Sequence, residues 1–384
     1  MEIKDVREAT RALCADFPDE YWRRLDQARE YPQEFVDALT ESGLLAALIP
    51  TEFGGLGLGL TDASIIMEEI NRSGGHSAAC HAQMYTMGAL LRHGNAAQKR
   101  SYLPGIASGE IRLQAFSITE EQAGSDTTNI ATSARRDGDE YVIDGHKNWT
   151  SRLEQSDLLL LLARTASRAE HATRTEGLSL FLVDLRDVRR RQPDALEVTP
   201  VRTMFNYATN EVRYRQLRIP TASLIGEEGQ GFRYVIDGWN AERILLAAEA
   251  IGDGYWFTQR ATAYAKTREV FGRPIGANQG VQFPIAQAYM QVRAADLMRY
   301  EAARRFDLSE PCGAEANMAK LLSSEASWAA ANTCLDTHGG YGFVDAYDVE
   351  RKFRETRLYK VAPVNNNLVT SFVATKVLGL PRSY

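Results

Sequence analysis

Residues 115–126, A-F-S-I-T-E-E-Q-A-G-S-D, carry the features that binding of a flat ligand would require. A strand-like run from Ala115 to Ile118 meets the turn formers Ala123-Gly124-Ser125-Asp126. Small residues at such a junction let the backbone come very close to a planar group. Thr119 and Ser125 add hydroxyls that can donate or accept hydrogen bonds. Twenty residues on, Gly145-His146-Lys147-Asn148-Trp149-Thr150-Ser151 follows a hairpin signal, D-G-D-E-Y-V-I-D-G, and again ends in an aromatic and two hydroxyls. Trp149 alone would read as a core aromatic; its place between Lys147 and the Thr150–Ser151 pair favours a site. In W-N-A-E-R-I-L-L-A-A the apolar run Ile244–Ala248 buries one face of the helix, and on local sequence Glu242 and Arg243 read as a wet pair on its other face. Arg268 could be a helix-end cation, or the planar fork that a pyrophosphate selects.

Composition narrows the classes. At 384 residues, two or three domains with a large core are expected, and 44% hydrophobic with 24% charged residues is ordinary for a globular protein. Net charge is −6, and the one basic run, R-D-V-R-R-R at 186–191, reads as a solvated loop between strands rather than a nucleic-acid patch. A polyphosphate substrate would therefore depend on local cations, not on a global field. Cys14, Cys80, Cys312 and Cys334 match no metal or redox spacing, and the six histidines show no ligand spacing. No apolar signal core opens the sequence, and no stretch of 18 apolar residues occurs. The expectation is a cytoplasmic enzyme without metal, nucleic acid or membrane partner.

The elements that must position these residues fall into three blocks. Residues 1–112 read as helical: Phe35, Leu39, Leu44 and Leu45 recur at helical spacing, and T-D-A-S-I-I-M-E-E-I opens with a cap-like Thr61-Asp62. Residues 113–222 switch to strand-like runs, among them S-D-L-L-L-L-L-A-R, L-S-L-F-L-V-D-L and E-V-R-Y-R-Q-L-R-I, bounded by turn residues and Pro220. Residues 223–384 return to long helices, such as 283–307 and 314–335, with Gly at the joints. Helices, a small β block, then helices argue for an α+β, mostly α enzyme.

The two stretches resemble the flavin-facing segments of the acyl-CoA dehydrogenase family, and further matches follow in order over essentially the whole chain. P-T-E-F-G-G-L-G at 50–57 looks like the family's P-E-x-x-G-G-x-G loop. I-P-T-A-S-L-I-G-E-E-G-Q-G-F at 219–232 resembles its passage from β-domain to C-terminal helices. R-E-V-F-G-R-P-I-G-A-N-Q at 268–279 resembles R-x-x-F-G-x-x-I-x-x-x-Q, and H-G-G-Y-G-F at 338–343 the late Gly-Gly turn. The resemblance implies an N-terminal helical domain, a middle β-barrel-like domain and a C-terminal four-helix bundle. It implies FAD as cofactor, held by Phe116, Ile118, Thr119, Trp149 and Ser151. From a neighbouring subunit it implies Arg268, Phe271 and Gln279, together with Asp336, Gly339, Gly340, Asn365 and Asn367 toward the nucleotide. Ser125, Asn240 and Arg243 fall to the acyl-CoA.

Two departures bear on the chemistry. Most family members carry Y-E-G-T near the C-terminus, whose Glu is the catalytic base. Aligning F-R-E-T-R-L-Y-K at 353–360 puts Ala362 and Pro363 where Tyr-Glu would stand, and Val364-Asn365 for Gly-Thr. Isovaleryl-CoA and long-chain acyl-CoA dehydrogenases instead place a Glu before an Arg on an earlier helix, where this chain has Glu242-Arg243. The segment R-T-M-F-N-Y-A-T-N-E at 202–211 replaces much of the family's Lys-x-Gly-x-Arg-x-Ser motif for coenzyme A.

The expected function is α,β-dehydrogenation of an acyl-CoA to trans-2-enoyl-CoA in lipid metabolism such as fatty acid β-oxidation. Glu242 would abstract the α-proton and flavin N5 would take the hydride. A homotetramer built as a dimer of dimers and an electron-transfer flavoprotein as acceptor are implied. The alternative is another flavin reaction on the same fold: an oxidase, a monooxygenase or a lyase.

Overall fold

The computed structural model describes residues 3–167 and 173–382. Helices come first: α1 (Ile3–Ala15), α2 (Asp19–Ala28), α3 (Gln33–Glu41), α4 (Leu60–Arg72), α5 (Ala78–His93) and α6 (Ala96–Ser108). The strands follow: β1 (Leu113–Ser117), β2 (Ser133–Asp137), β3 (Glu140–Ser151), β4 (Leu158–Arg164), β5 (Leu178–Asp184), β6 (Leu196–Val201), β7 (Thr209–Pro220) and β8 (Leu224–Ile225), with a short α7 (Leu185–Arg191) after β5. Helices then return as α8 (Gly231–Thr267), the hairpin β9 (Glu269–Val270) and β10 (Arg273–Pro274), α9 (Gln279–Asp307), α10 (Gly313–His338), α11 (Val349–Thr356) and α12 (Asn366–Phe372). The expected α+β, mostly helical architecture is what the chain forms. None of the described helices is long and apolar enough to cross a membrane.

Contacts divide the chain into two compact units. The sheet unit comprises Val36–Gly57 and Ala78–Trp239; the helical unit comprises the chain up to Phe35, Leu58–Ser77 and the chain from Asn240.

In the sheet unit the strand order is β6-β7-β3-β2-β4-β5-β8, with β1 added in parallel to β4. The run of five leucines in β4 explains itself by period two. Leu158, Leu160 and Leu162 pack into a cluster with α5, α6 and β1, while Leu159, Leu161 and Ala163 pack with Tyr141, Phe181 and Val183. A strand covered on both faces loses alternation and becomes uniformly apolar. The basic run at 186–191 is not the expected loop. It forms most of α7, because the Asp184 carboxylate accepts from the Arg186 and Asp187 amides as an N-cap and Leu185 and Val188 are buried. Arg190 and Arg191 reach back to Asp187 at one-turn spacing, so the cations are a helix face.

In the helical unit, Tyr255, Trp256 and Phe257 of α8 pack with Ala288, Val292 and Ala295 of α9 and Ala326, Ala330 and Ala331 of α10. The alanines keep α9 and α10 close, and the aromatic rings of α8 fill the volume they leave. The start of α4 differs from expectation. It begins at Leu60, and its free amides at Leu60 and Thr61 are taken at 2.6 and 2.9 Å by Asp307 at the far end of α9. Thr61 is thus a donor to a distant cap, through its hydroxyl as well, rather than the cap itself.

Candidate active site

In the sheet unit, β1 delivers Phe116, and just beyond its end Ile118 and Thr119 stand half-buried. The loop that follows is clamped by Glu120. Its carboxylate accepts from the Ala131 and Thr132 amides at 2.6 and 2.9 Å and pairs with Lys147 Nζ at 3.0 Å. Burial alone would push Glu120 up, but Lys147 and these amides outweigh it and hold the carboxyl below its ordinary range. Lys147, fully buried on β3, also donates to the Ile118 carbonyl at 2.6 Å. Burial brings its ammonium down to about 8 against the pull of Glu120. The Thr119 carbonyl accepts from the Asn148 amide at 2.8 Å, so the two sequence segments lie side by side.

Opposite β7, β3 breaks register between Lys147 and Thr150, and Trp149 sits in the break with φ 62°. Such a bulge re-aims one side chain, and the indole is 57% exposed, unlike the core aromatic that composition would suggest. Thr150 turns inward, 2.9 Å from Ser117 Oγ, which also accepts from Tyr214. Ser151 donates to Thr209 Oγ1 at 3.0 Å. Gly145 is required here: a Cβ on it would lie 2.2 Å from Thr132 Oγ1. Asn148 Oδ1 is buried and has no donor among the described residues. Ser125 lies exposed between Gly124 and Asp126, and a Cβ on Gly124 would meet nothing within 4 Å.

One residue escaped the sequence reading. Arg152, also left-handed at φ 56°, donates its amide to the Ala208 carbonyl at 2.8 Å and lays its guanidinium 4.7 Å from the Tyr207 ring. The departure at 202–211 is thereby tied to the Trp149 segment. Its only sequence signal was adjacency to Ser151.

In the helical unit, Glu242 and Arg243 are 8% and 9% exposed. The expectation of one buried face is exceeded: α8 is buried all round from Ala241 through Thr258. A helix enclosed on every side makes a charged pair a costly choice unless it serves a purpose. Burial pushes the Arg243 guanidinium down and Glu242 opposes that shift. Arg243 also donates to Asn240 Oδ1 at 3.3 Å. Ala362 and Pro363 are half-buried and carry no proton acceptor in their side chains.

After α8, Arg268 leads into the β9–β10 hairpin, whose turn holds Phe271 and Gly272 at φ 52° and 76°. Phe271 is 100% exposed at that tip. Arg268 lies 5.8 Å from the ring of Tyr341, bringing the hairpin beside the glycine turn that ends α10. There Asp336, Gly339 and Gly340 are exposed; Gly339 has φ 57°, and a Cβ on Gly339 or Gly340 would touch nothing within 4 Å. Gln279 is exposed at the first position of α9. Asn365 Oδ1 caps α12 by accepting from the Leu368 amide at 3.0 Å, and Asn367 is exposed.

Within the sheet unit, an outward-facing indole, a buried acceptor without a donor among the described residues and an open glycine fit a planar ligand. Within the helical unit, open glycines and an exposed arginine beside a bare phenylalanine fit a group that bears phosphates. The sequence matches family models for the acyl-CoA dehydrogenase N-terminal domain over residues 1–110, middle domain over 115–216 and C-terminal domain over 229–377. It is 34% identical over 389 residues to acyl-CoA dehydrogenase fadE12 of Mycobacterium bovis, covering 100% of this chain and 97% of that one. It is 30% identical over 386 residues to a 3-(aryl)acrylate reductase of Clostridium sporogenes, covering 98% and 100%. Its fold is similar to that of a glutaryl-coenzyme A dehydrogenase solved with glutaryl-CoA, with TM-score 0.90, 29% identity and 99% and 96% of the two chains covered. Three domain matches in order and full-length identity to named dehydrogenases establish that the chain belongs to the acyl-CoA dehydrogenase family of FAD-dependent oxidoreductases.

Proposed function

We propose that the protein dehydrogenates an acyl-CoA between its α and β carbons, giving a trans-2-enoyl-CoA, and that Glu242 is the base. The observation that carries this is a carboxylate almost wholly withdrawn from water beside Arg243, in a chain whose late position holds Ala362 and Pro363. A desolvated carboxylate is a stronger base toward a weakly acidic α-proton, while Arg243 favours its ionised form before substrate arrives. Glu242 takes the α-proton and holds it on its carboxylate. The α-carbon is acidic only while the thioester carbonyl is polarised by hydrogen-bond donors. Ser125 is assigned to the thioester side, and Asn240 and Arg243 to the coenzyme A side. FAD, when bound, supplies the acceptor for the hydride that leaves Cβ. Phe116, Ile118, Thr119, Trp149 and Ser151 would hold its ring system. Arg268, Phe271 and Gln279 of another subunit, with Asp336, Gly339, Gly340, Asn365 and Asn367, would hold the rest. That sharing implies a homotetramer built from dimers. An electron-transfer flavoprotein as acceptor, a cytoplasmic location and a place in fatty acid β-oxidation complete the reading.

The test is anaerobic flavin bleaching by a panel of acyl-CoAs. At least one member should bleach the wild-type flavin. Glu242→Gln should bind FAD and acyl-CoA yet reduce its flavin about two or more orders of magnitude more slowly. Near wild-type reduction in that variant would remove Glu242 as the base; a panel that bleaches nothing would favour an oxidase, monooxygenase or lyase reaction instead.

A further inference from the structure

Lys147 is fully buried in the sheet unit, two residues before the exposed Trp149. Its ammonium donates to the Ile118 carbonyl at 2.6 Å and pairs with Glu120 Oε1 at 3.0 Å. The Ile118–Thr119 peptide is trans, since the one cis bond among the described residues is Ala362–Pro363. In a trans peptide the carbonyl and the following N–H point in opposite directions. A carbonyl drawn inward to Lys147 therefore turns the Thr119 N–H away from the buried ammonium. That N–H meets no acceptor among the described residues. The Thr119 carbonyl is itself taken by the Asn148 amide at 2.8 Å, so the peptides on both sides of Thr119 are pinned and the free N–H keeps its direction. A backbone donor that is fixed, half-buried and unpaired calls for a partner from outside the chain.

The ring system of a flavin supplies the matching chemistry. Its pyrimidine edge presents carbonyl oxygens and a ring nitrogen as acceptors, and that edge gains negative charge when the ring takes a hydride. A donor oriented beforehand stabilises such charge without reorganising. Glu120, held by the Ala131 and Thr132 amides at 2.6 and 2.9 Å, anchors the ammonium to the body of the sheet unit. Paired in this way, Lys147 adds little net charge of its own, and its influence passes through the peptide. We propose that Lys147 is a positioning residue for the flavin: by pinning the Ile118 carbonyl on the inner side of its segment, it presents the Thr119 N–H to the acceptor edge of the ring and favours the reduced cofactor. This rests on residues 118–119 facing the ring system.

The experiment measures two quantities: the dissociation constant of FAD from the apoprotein, by flavin fluorescence, and the midpoint potential of the bound flavin. Lys147→Met deletes the donor to Ile118 at similar length. FAD should bind about tenfold more weakly. The reduced form should lose about tenfold in affinity relative to the oxidised form, which for a two-electron couple lowers the potential by about 30 mV. Because Lys147→Met leaves Glu120 buried without its cation, a Glu120→Gln, Lys147→Met double variant keeps the site neutral and guards against failure to fold. The double variant should regain stability to urea but neither the FAD affinity nor the potential. Glu120→Gln alone keeps an amine on the Ile118 carbonyl and should stay near the wild type in both. A double variant that recovers affinity and potential along with stability would reduce Lys147 to a structural tie and overturn the proposal. An unmoved potential in both Lys147 variants, or a Glu120→Gln variant shifted as far as Lys147→Met, would overturn it too. Failure of the reading that sets the flavin against this segment is seen separately, in a Trp149→Ala enzyme whose flavin spectrum does not change.

Discussion

At the scale of single residues, the charged and polar groups of the site divide into those that build and those that face outward. Glu120 and Lys147 are both consumed in holding the loop after β1 against β3. Ser125 and Trp149 remain presented to the exterior of the sheet unit, one on an open loop and one on a bulge. They should therefore separate in function. Ser125→Ala is expected to raise the apparent KM for acyl-CoA and leave the flavin spectrum alone. Trp149→Ala is expected to shift the flavin spectrum or slow its reduction with a smaller effect on KM. Steady-state kinetics and absorbance on the two variants check this; identical behaviour would dissolve the division into thioester and flavin sides.

At the scale of elements, ends matter more than middles. The bulge in β3 and the hairpin at 268–274 each force an aromatic residue, Trp149 or Phe271, into left-handed backbone and out of the core. Non-glycine residues hold such geometry only where the surroundings compensate. The N-terminus of α4 shows the same dependence on context, because its cap is Asp307 of α9. Asp307→Ala should orphan two amides and the Thr61 hydroxyl and lower stability by about 1–2 kcal/mol. A urea titration measures this, and α4 is the element that should lose hydrogen-exchange protection first. A Thr61→Ala variant as damaging as Asp307→Ala would contradict that assignment.

At the scale of the whole molecule, the helical unit is bound by buried ion networks as well as by apolar packing. Arg299 joins Ser64, Glu68 and Asp296, and Lys352 joins Asp253 at 2.5 Å and Glu355 at 3.2 Å. Burial would raise the Glu355 carboxyl, but Arg351 and Lys352 overcome it and bring it to about 2. A carboxyl whose folded pKa lies below its unfolded value adds stability at pH above the unfolded value, and that contribution is lost as pH falls through the folded one. Asp253 has the opposite sign: burial lifts it to about 6 despite Lys352, so its proton is favoured in the folded state between about pH 4 and 6. Stability should consequently hold on mild acidification and fall steeply below about pH 4. Urea midpoints across pH 2–7 test the sign, and Glu355→Gln should flatten the acid limb.

Much of this was legible in the sequence, for a definite reason. Period, turn chemistry and motif order are local properties, so helical and strand blocks, the long helices α9 and α10, and the family with its FAD dependence could be read from residue types in succession. The motifs at 115–126, 145–151 and 268–279 could be located without coordinates because glycine, hydroxyl and aromatic residues at fixed spacing constrain the backbone. What the chain alone could not decide were relations between distant residues. That a basic run is the face of a capped helix needed Asp184 and buried Leu185 and Val188. That α4 is capped 246 or more residues away needed α9. That Glu242 is withdrawn from water beside Arg243 rather than on a wet face needed α8 to be enclosed on all sides. Whether a carboxylate is a surface charge or a base is set by its dielectric surroundings and charged neighbours, and only tertiary packing supplies those.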